Sequence, residues 1–121
     1  MKDYRVYLVH ILESIEKIEK YTAQGRDSFF GQEIVQDAVM RNMEIIGEAV
    51  KHITQDIRDQ HPEIPWRKMA GLRDILIHDY EGINLARVWD VVEHDFVSVK
   101  KAISQLLPPL DRLENEIAGE N

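Results

Sequence analysis

The chain has 121 residues, 31% of them charged, and a formal net charge of −7. This length suits one domain with its own hydrophobic core, and we expect residues 1–121 to form a single domain. The lack of cysteine excludes disulfides and thiolate metal sites, and the acidic balance excludes a protein that holds nucleic acid mainly by neutralising many phosphates.

The first predicted helix occupies the start of the chain. Its sequence, "MKDYRVYLVHILESIEK", has no continuous apolar stretch typical of a signal peptide, and no segment approaches the ~20 apolar residues of a membrane span. We therefore expect a soluble cytoplasmic protein. One helical face is apolar and comprises Tyr4, Tyr7, Leu8, Ile11, Leu12, Ile15 and Ile18. Gly25 is suited to be the helix C-cap, and Asp27 or Ser28 to be the next N-cap.

A second helix is predicted from about Ser28 to Ile57. Its buried face comprises Val35, Ala38, Val39, Ile45, Ile46, Ala49 and Ile53. Gly47 lies in the middle, where glycine costs about 1 kcal/mol relative to alanine, and we interpret it as a close approach of another backbone. Pro62 and Pro65 end the helical pattern, and Pro65 suits the first position of the following helix.

The rest of the chain continues the helical spacing. A short third helix carries Trp66, Met69, Leu72, Ile75 and Leu76 and ends near His78. Asn84 is suited to cap a long fourth helix, which Pro108 and Pro109 end before a short amphipathic turn in "LDRLENEI". The sequence shows no convincing alternating strand, so we predict an all-α bundle. Its apolar faces are wide enough for a dimer contact as well as a core, although most positions are best assigned to the core.

Three polar residues stand in the apolar segment "RDILIHDY": Arg73, His78 and Tyr80. Histidine can both take and give a proton near neutral pH, and RNA supplies its own nucleophile, the 2′-hydroxyl. Arginine can stabilise the negative charge that develops on the phosphate oxygens. One histidine and one arginine are therefore a minimal metal-free ribonuclease pair.

The spacing of Arg73 and His78 is by itself a weak signal. Five residues rotate a helical side chain by about 140° relative to the first, so the two do not share one face. They can converge where the helix ends, or two copies can each supply a pair across a two-fold axis. A histidine that caps a helix is the commoner explanation of such spacing.

Three separated blocks of sequence carry a resemblance to a known family. "RNMEIIGEA" (residues 41–49), "IPWRKMAGLRDILIHDY" (64–80) and "INLARVWDVVEHD" (83–95) resemble, in order and spacing, the HepT-like toxins of the HEPN superfamily. The similarity extends from the first helix to about residue 107. It implies a four- to five-helix HEPN-type bundle that acts as a homodimer, with an Arg-x4-His-x-Tyr motif in a cleft between protomers. It also implies metal-independent endoribonuclease activity without a cofactor.

The resemblance assigns roles to the motif residues. Arg73 and His78 would be catalytic, and Tyr80 would accept AMP from a minimal nucleotidyltransferase antitoxin that silences the toxin. Asp74 stands where an asparagine is common, and it could weaken phosphate binding or orient Arg73. The segment "HDFVSVKK" replaces a leucine-proline pair, which puts the local kink of the fourth helix in doubt.

Other polar residues are candidates for supporting roles. Glu48 could orient Arg73, and Asn42 could hydrogen-bond near the motif or within the dimer, although a satisfied core asparagine explains it more simply. The histidines show no metal-ligand spacing, and we expect no metal site. Three basic residues near the motif are equally consistent with a local basic patch and with ordinary surface charge: Arg67, Lys68 and Arg87.

The sequence leaves two functions of different classes open. The first is a ribonuclease toxin with Arg73 and His78 in its active site and Tyr80 as its off-switch. The second is a non-catalytic helical module that docks on a nucleotidyltransferase and uses Arg73 and His78 to bind AMP or phosphate. A purely structural role, as a helical bundle that dimerises, is a weaker third possibility.

Overall fold

The computed structural model describes residues 3–77 and 84–107. These residues form α-helices, one π-helical segment and short turns, with no β-strand among them, which confirms the predicted all-α class. The elements are α1 (Arg5–Tyr21), α2 (Arg26–Gly31), α3 (Glu33–Lys51), α4 (Gln55–Gln60), α5 (Trp66–Ala70), α6 (Leu72–Ile77), α7 (Leu85–Asp90), the π-helical segment (Val91–Asp95) and α8 (Phe96–Leu106). Within the described ranges, no helix combines the length and the apolar character needed to cross a membrane.

The core lies between α1, α3 and the later helices. The face predicted for the first helix is the buried face of α1, with Leu8, Ile11, Leu12, Ile15 and Ile18 all nearly inaccessible to solvent. The side chains that meet it share the same near-complete burial and include Val39, Met43, Ile46, Val50, Val99 and Ile103. The apolar spacing in the sequence therefore correctly identified the faces that build the core.

The second predicted helix is divided in the structure. Gln32 adopts extended dihedral angles (φ −128°, ψ 109°) and separates α2 from α3, while the turn after Lys51 separates α3 from α4. The predicted caps at the start were also wrong. Thr22 is the C-cap of α1, and Gly25 is the N-cap of α2 with φ +93°, a conformation that favours glycine. Asp27 and Ser28 consequently lie inside α2.

The third predicted helix is divided at Gly71 into α5 and α6. Pro65 precedes the first residue of α5 as its N-cap, one position earlier than predicted. Asn84 caps α7 as predicted, since its side-chain oxygen accepts a hydrogen bond from the backbone N–H of Arg87 at 3.2 Å. The predicted ending at His78, the stop at Pro108 and Pro109, and the turn in "LDRLENEI" lie outside the described residues.

The fourth predicted helix contains a π-helical turn between α7 and α8. Two buried residues, Val91 at the start of this turn and Phe96 directly after it, are five positions apart, whereas an α-helix returns to the same face after three or four. A π turn pairs residues five apart, so the extra residue brings both side chains to the core. His94 and Asp95, the first two residues of "HDFVSVKK", end the π-helical segment, and the rest of that stretch belongs to α8.

Candidate functional site

Arg73 lies in α6, and α6 packs against α3 at Gly47. A Cβ atom built on Gly47 would lie 3.6 Å from the Cβ and 3.8 Å from the backbone nitrogen of Arg73. Gly47 therefore lies in direct contact with the first turn of α6, which confirms the interpretation of this glycine as a close backbone approach. The contact fixes where the Arg73 side chain leaves its backbone.

The guanidinium of Arg73 is paired with Glu48. Arg73 Nη1 donates to Glu48 Oε1 at 2.8 Å, and Lys51 Nζ donates to the same oxygen at 3.3 Å. The side chains of Arg73, Glu48 and Lys51 are 45%, 53% and 49% exposed. The structure thus brings together two of the residues selected from the sequence, Arg73 and Glu48, and adds Lys51. The result is a solvent-accessible group with two cations and one anion.

The other selected residues are placed differently. Asp74 is exposed in the first turn of α6, where a carboxylate interacts favourably with the helix dipole. Asn42 is only 6% exposed; its Nδ2 donates to the Ala38 carbonyl at 2.8 Å, and its buried Oδ1 has no hydrogen-bond partner among residues 3–77 and 84–107. Asn42 is a core asparagine, but only half of its amide is satisfied. His78 and Tyr80 lie outside the described residues.

Arg58 binds the end of α3 and was not selected from the sequence. Its Nε donates to the Ile53 carbonyl at 3.0 Å and its Nη2 to the Val50 carbonyl at 2.8 Å. These carbonyls belong to the end of α3 and the turn after it, and the Val50 carbonyl also accepts a hydrogen bond from the backbone N–H of Ile53 at 3.0 Å. Basic residues often serve such carbonyls, but a partner five to eight residues further along the chain gives no local sequence signal.

An aromatic group lies at the same end of α3 and was also missed. The rings of Tyr7 and His52 are stacked, with centroids 4.8 Å apart and planes 9° apart. His10 meets Tyr7 edge-on, at 6.2 Å and 90°. His10 and His52 are exposed and Tyr7 is half-buried. The first turns of α1 therefore place two aromatic side chains, Tyr7 and His10, beside His52 at the end of α3.

A wide groove of about 940 Å³ runs between α4 and α5. Two residues of the predicted basic patch, Arg67 and Lys68, contribute to its walls together with Asp59. Lys68 Nζ is paired with Asp95 Oδ1 of the π-helical segment at 2.9 Å. The charge of Lys68 is therefore partly compensated, which weakens the interpretation of these residues as a strong basic patch.

No group of three or more histidine, aspartate or glutamate side chains within residues 3–77 and 84–107 is arranged to hold a metal ion. The group of Arg73, Lys51 and Glu48 instead offers hydrogen-bond donors and positive charge. Such donors suit a phosphate or another oxyanion.

Comparisons with known proteins identify relatives of this chain. The family model described as "Ribonuclease HepT-like" matches residues 11–106. A protein of Methanocaldococcus jannaschii named gamma-glutamylcyclotransferase and putative RNase is 45% identical over 94% of this chain, but the chain spans only 52% of that protein. A protein of Thermococcus cleftensis named probable ribonuclease HepT is 42% identical, over 87% of this chain and 96% of the relative.

The fold also matches a solved structure, described as a tri-AMPylated Shewanella oneidensis HEPN toxin in complex with MNT antitoxin. The TM-score is 0.62 at 27% identity, and the match covers 86% of this chain and 96% of that one. The family match covers most of the chain, and the relatives and the fold point to the same family. This protein belongs to the HepT-like ribonuclease family of HEPN toxins.

Proposed function

We propose that this chain is the toxin of a toxin–antitoxin pair and acts as a homodimeric, metal-independent endoribonuclease. The observation that carries the proposal is the half-exposed guanidinium of Arg73, oriented by Glu48 at 2.8 Å and five positions before His78 in the sequence. A guanidinium that is both oriented and accessible is suited to bind a phosphate that arrives from solvent. The names of the relatives, which include ribonuclease HepT, support the same activity.

The proposed chemistry uses the hydroxyl that RNA carries beside each phosphate. An imidazole takes the proton of the 2′-hydroxyl, the 2′-oxygen forms a bond to phosphorus, and the bond from phosphorus to the 5′-oxygen breaks. An imidazolium returns a proton to that leaving oxygen. In the proposed homodimer, the His78 side chains of two copies supply base and acid. Arg73 stabilises the additional negative charge on the phosphoryl oxygens.

We further propose that AMP transfer to Tyr80 silences the toxin. The phenol oxygen of Tyr80 would attack the α-phosphate of ATP on a minimal nucleotidyltransferase, with pyrophosphate leaving. The solved HEPN toxin that shares this fold is described as tri-AMPylated and bound to MNT antitoxin, which supports such a partner here. An AMP group attached seven positions after Arg73 adds a negative phosphate that competes with RNA for the guanidinium.

The ribonuclease activity is tested with purified protein and an RNA oligonucleotide in the presence of excess EDTA. We expect cleavage by the unmodified protein and its loss in His78→Ala and Arg73→Ala. Arg41→Ala is the matched control, because Arg41 is an exposed arginine that pairs with Glu44 on α3. Full activity of His78→Ala under these conditions would show that the catalytic assignment is wrong. Activity that disappears with EDTA and returns with a divalent cation would exclude a metal-independent reaction.

The regulatory part is tested by intact mass after incubation with the nucleotidyltransferase and ATP. We expect a gain of one or more AMP units in the wild type and in Tyr21→Phe, a control at an exposed tyrosine of α1. Tyr80→Phe should gain none and should stay active. A wild-type protein that gains no mass beside a catalytically active partner would remove Tyr80 from this role and favour the binding-module function.

A further inference from the structure

Three aromatic residues at the end of α3, Tyr7, His10 and His52, have no role in the proposed function. His10 and His52 are exposed, although they belong to a cluster with the half-buried Tyr7. Tyr7 covers one face of the His52 ring at 4.8 Å. The His52 side chain is nevertheless exposed to solvent.

This surface is continuous with the Arg73 group along α3. His52 follows Glu48 by four positions, and residues four apart lie next to each other on a helix. Lys51 Nζ lies 3.3 Å from the Glu48 carboxylate that holds Arg73. Glu48, which binds the Arg73 guanidinium, is therefore followed within about one turn at the end of α3 by the Lys51 ammonium and the exposed His52 ring.

We propose that His52, stacked on Tyr7, is a stacking site for an unpaired base of the RNA whose phosphate is bound at Arg73. This inference rests on the proposed function and adds to it the part of the substrate that is recognised. Single-stranded RNA presents unstacked bases that bind to aromatic faces. The Tyr7 ring supports the imidazole from behind, so a base on the outer face extends an existing stack.

The negative net charge of the protein limits how strongly it can bind RNA through phosphate contacts. With a net charge of −7, the chain cannot rely on many phosphate contacts. Base stacking supplies affinity that does not depend on counterion release, and it tolerates different sequences because every base has an aromatic face. Lys51 would contribute a single phosphate contact beside the stacked base.

The experiment measures binding of a fluorescently labelled 2′-O-methyl RNA oligonucleotide by anisotropy over a range of salt concentrations. Methylation blocks the nucleophilic hydroxyl, so binding is measured without cleavage. We expect His52→Ala to weaken binding by about 5- to 100-fold with an unchanged salt dependence, and His52→Phe to restore it. Lys51→Ala should instead reduce the slope of log K against log salt by about 0.7, the value for one phosphate on a single strand.

His94→Ala is the matched control, because His94 is an exposed histidine on the π-helical segment. Equal binding by wild type and His52→Ala would overturn the proposal, as would a His52→Phe variant as weak as His52→Ala, or a wild type that does not bind the oligonucleotide. Failure of the proposed function has a different signature. The stacking result would stand with 2′-O-methyl RNA while unmodified RNA remained uncleaved.

Discussion

The Nη1 atom of Arg73 lies 2.8 Å from the Oε1 atom of Glu48, across the contact between α6 and α3. Both side chains are about half exposed, and ion pairs of this kind contribute only about 0–1 kcal/mol to stability. The pair therefore matters little for folding. Its main consequence is that the guanidinium has one preferred orientation before a substrate arrives.

Glu48 is therefore expected to affect catalysis more than stability. Glu48→Ala releases the guanidinium and should lower kcat for RNA cleavage about tenfold, which corresponds to about 1.4 kcal/mol of transition-state stabilisation. Glu48→Gln keeps an oxygen acceptor for Arg73 and should recover most of kcat. The measurement is single-turnover cleavage of an oligonucleotide, together with a thermal melt of each variant.

Glu44→Ala provides the control for this comparison, since it removes an exposed glutamate of α3 that pairs with Arg41 at 3.2 Å. Its kcat should equal that of the wild type. If Glu48→Ala were faster than the wild type, Glu48 would be screening the charge of Arg73, and the orienting role would be wrong.

Arg58 is expected to affect stability through the end of α3. Arg58→Ala leaves the carbonyls of Val50 and Ile53 without their charged donor and should destabilise the protein by about 1.5–3 kcal/mol. Arg58→Lys should recover only part of this, because an ammonium lacks the planar fork that reaches two acceptors. Arg67→Ala, at an exposed arginine in the same groove, should melt like the wild type. Equal melting of Arg58→Ala and Arg67→Ala would refute the capping role.

The features that the sequence predicted are those with a local signal. The three- and four-residue spacing of Leu8, Ile11 and Ile15 identified the buried face of α1, and Asn84 was recognisable as a cap from its own side chain. The breaks inside the second predicted helix were missed because Gln32 and His52 are ordinary helix residues. At the second break His52 keeps helical dihedral angles, and the chain becomes extended at Thr54 (φ −67°, ψ 159°).

The candidate site depends on contacts that are distant in sequence. Arg73 was selected from its motif, and Glu48, 25 positions away, was a candidate to orient it, but only the tertiary contact at 2.8 Å brings the two side chains together. The same holds for the stack of Tyr7 on His52, which requires α1 to pack against the end of α3. The sequence therefore indicated which chemistry to expect, while tertiary packing determined which side chains orient and surround it.

Gly47 is expected to tolerate alanine but no larger side chain. The added Cβ would lie 3.6 Å from the Cβ of Arg73, an ordinary contact, and alanine is favoured over glycine in a helix by about 1 kcal/mol. Gly47→Ala should therefore have equal or higher stability and full RNase activity. Gly47→Leu should displace α6 and lower both. Denaturant titration and oligonucleotide cleavage decide the matter, and a strongly destabilised Gly47→Ala would contradict the packing described here.

The pair between Lys100 of α8 and Glu19 of α1 is expected to stabilise the bundle in a pH-dependent way. Lys100 Nζ donates to Glu19 Oε1 at 2.8 Å, and this hydrogen bond, together with the nearby carboxylates, raises the pKa of Lys100 above its ordinary value of 10.5. A raised lysine pKa stabilises the fold fully below the unfolded pKa, and that stabilisation is lost as pH rises through the folded value.

Lys100→Met should therefore cost about 0.2–1 kcal/mol of unfolding free energy at neutral pH, as for other exposed pairs. The difference from the wild type should shrink above about pH 10.5, and added salt should reduce it at neutral pH because the pair is exposed. Lys101→Met is the matched control, at an exposed lysine one position away, and should show no such dependence. Denaturant titrations of the three proteins on both sides of that pH measure the effect. A difference that persists undiminished at high pH would mean that Lys100 stabilises through its aliphatic stem and not through its charge.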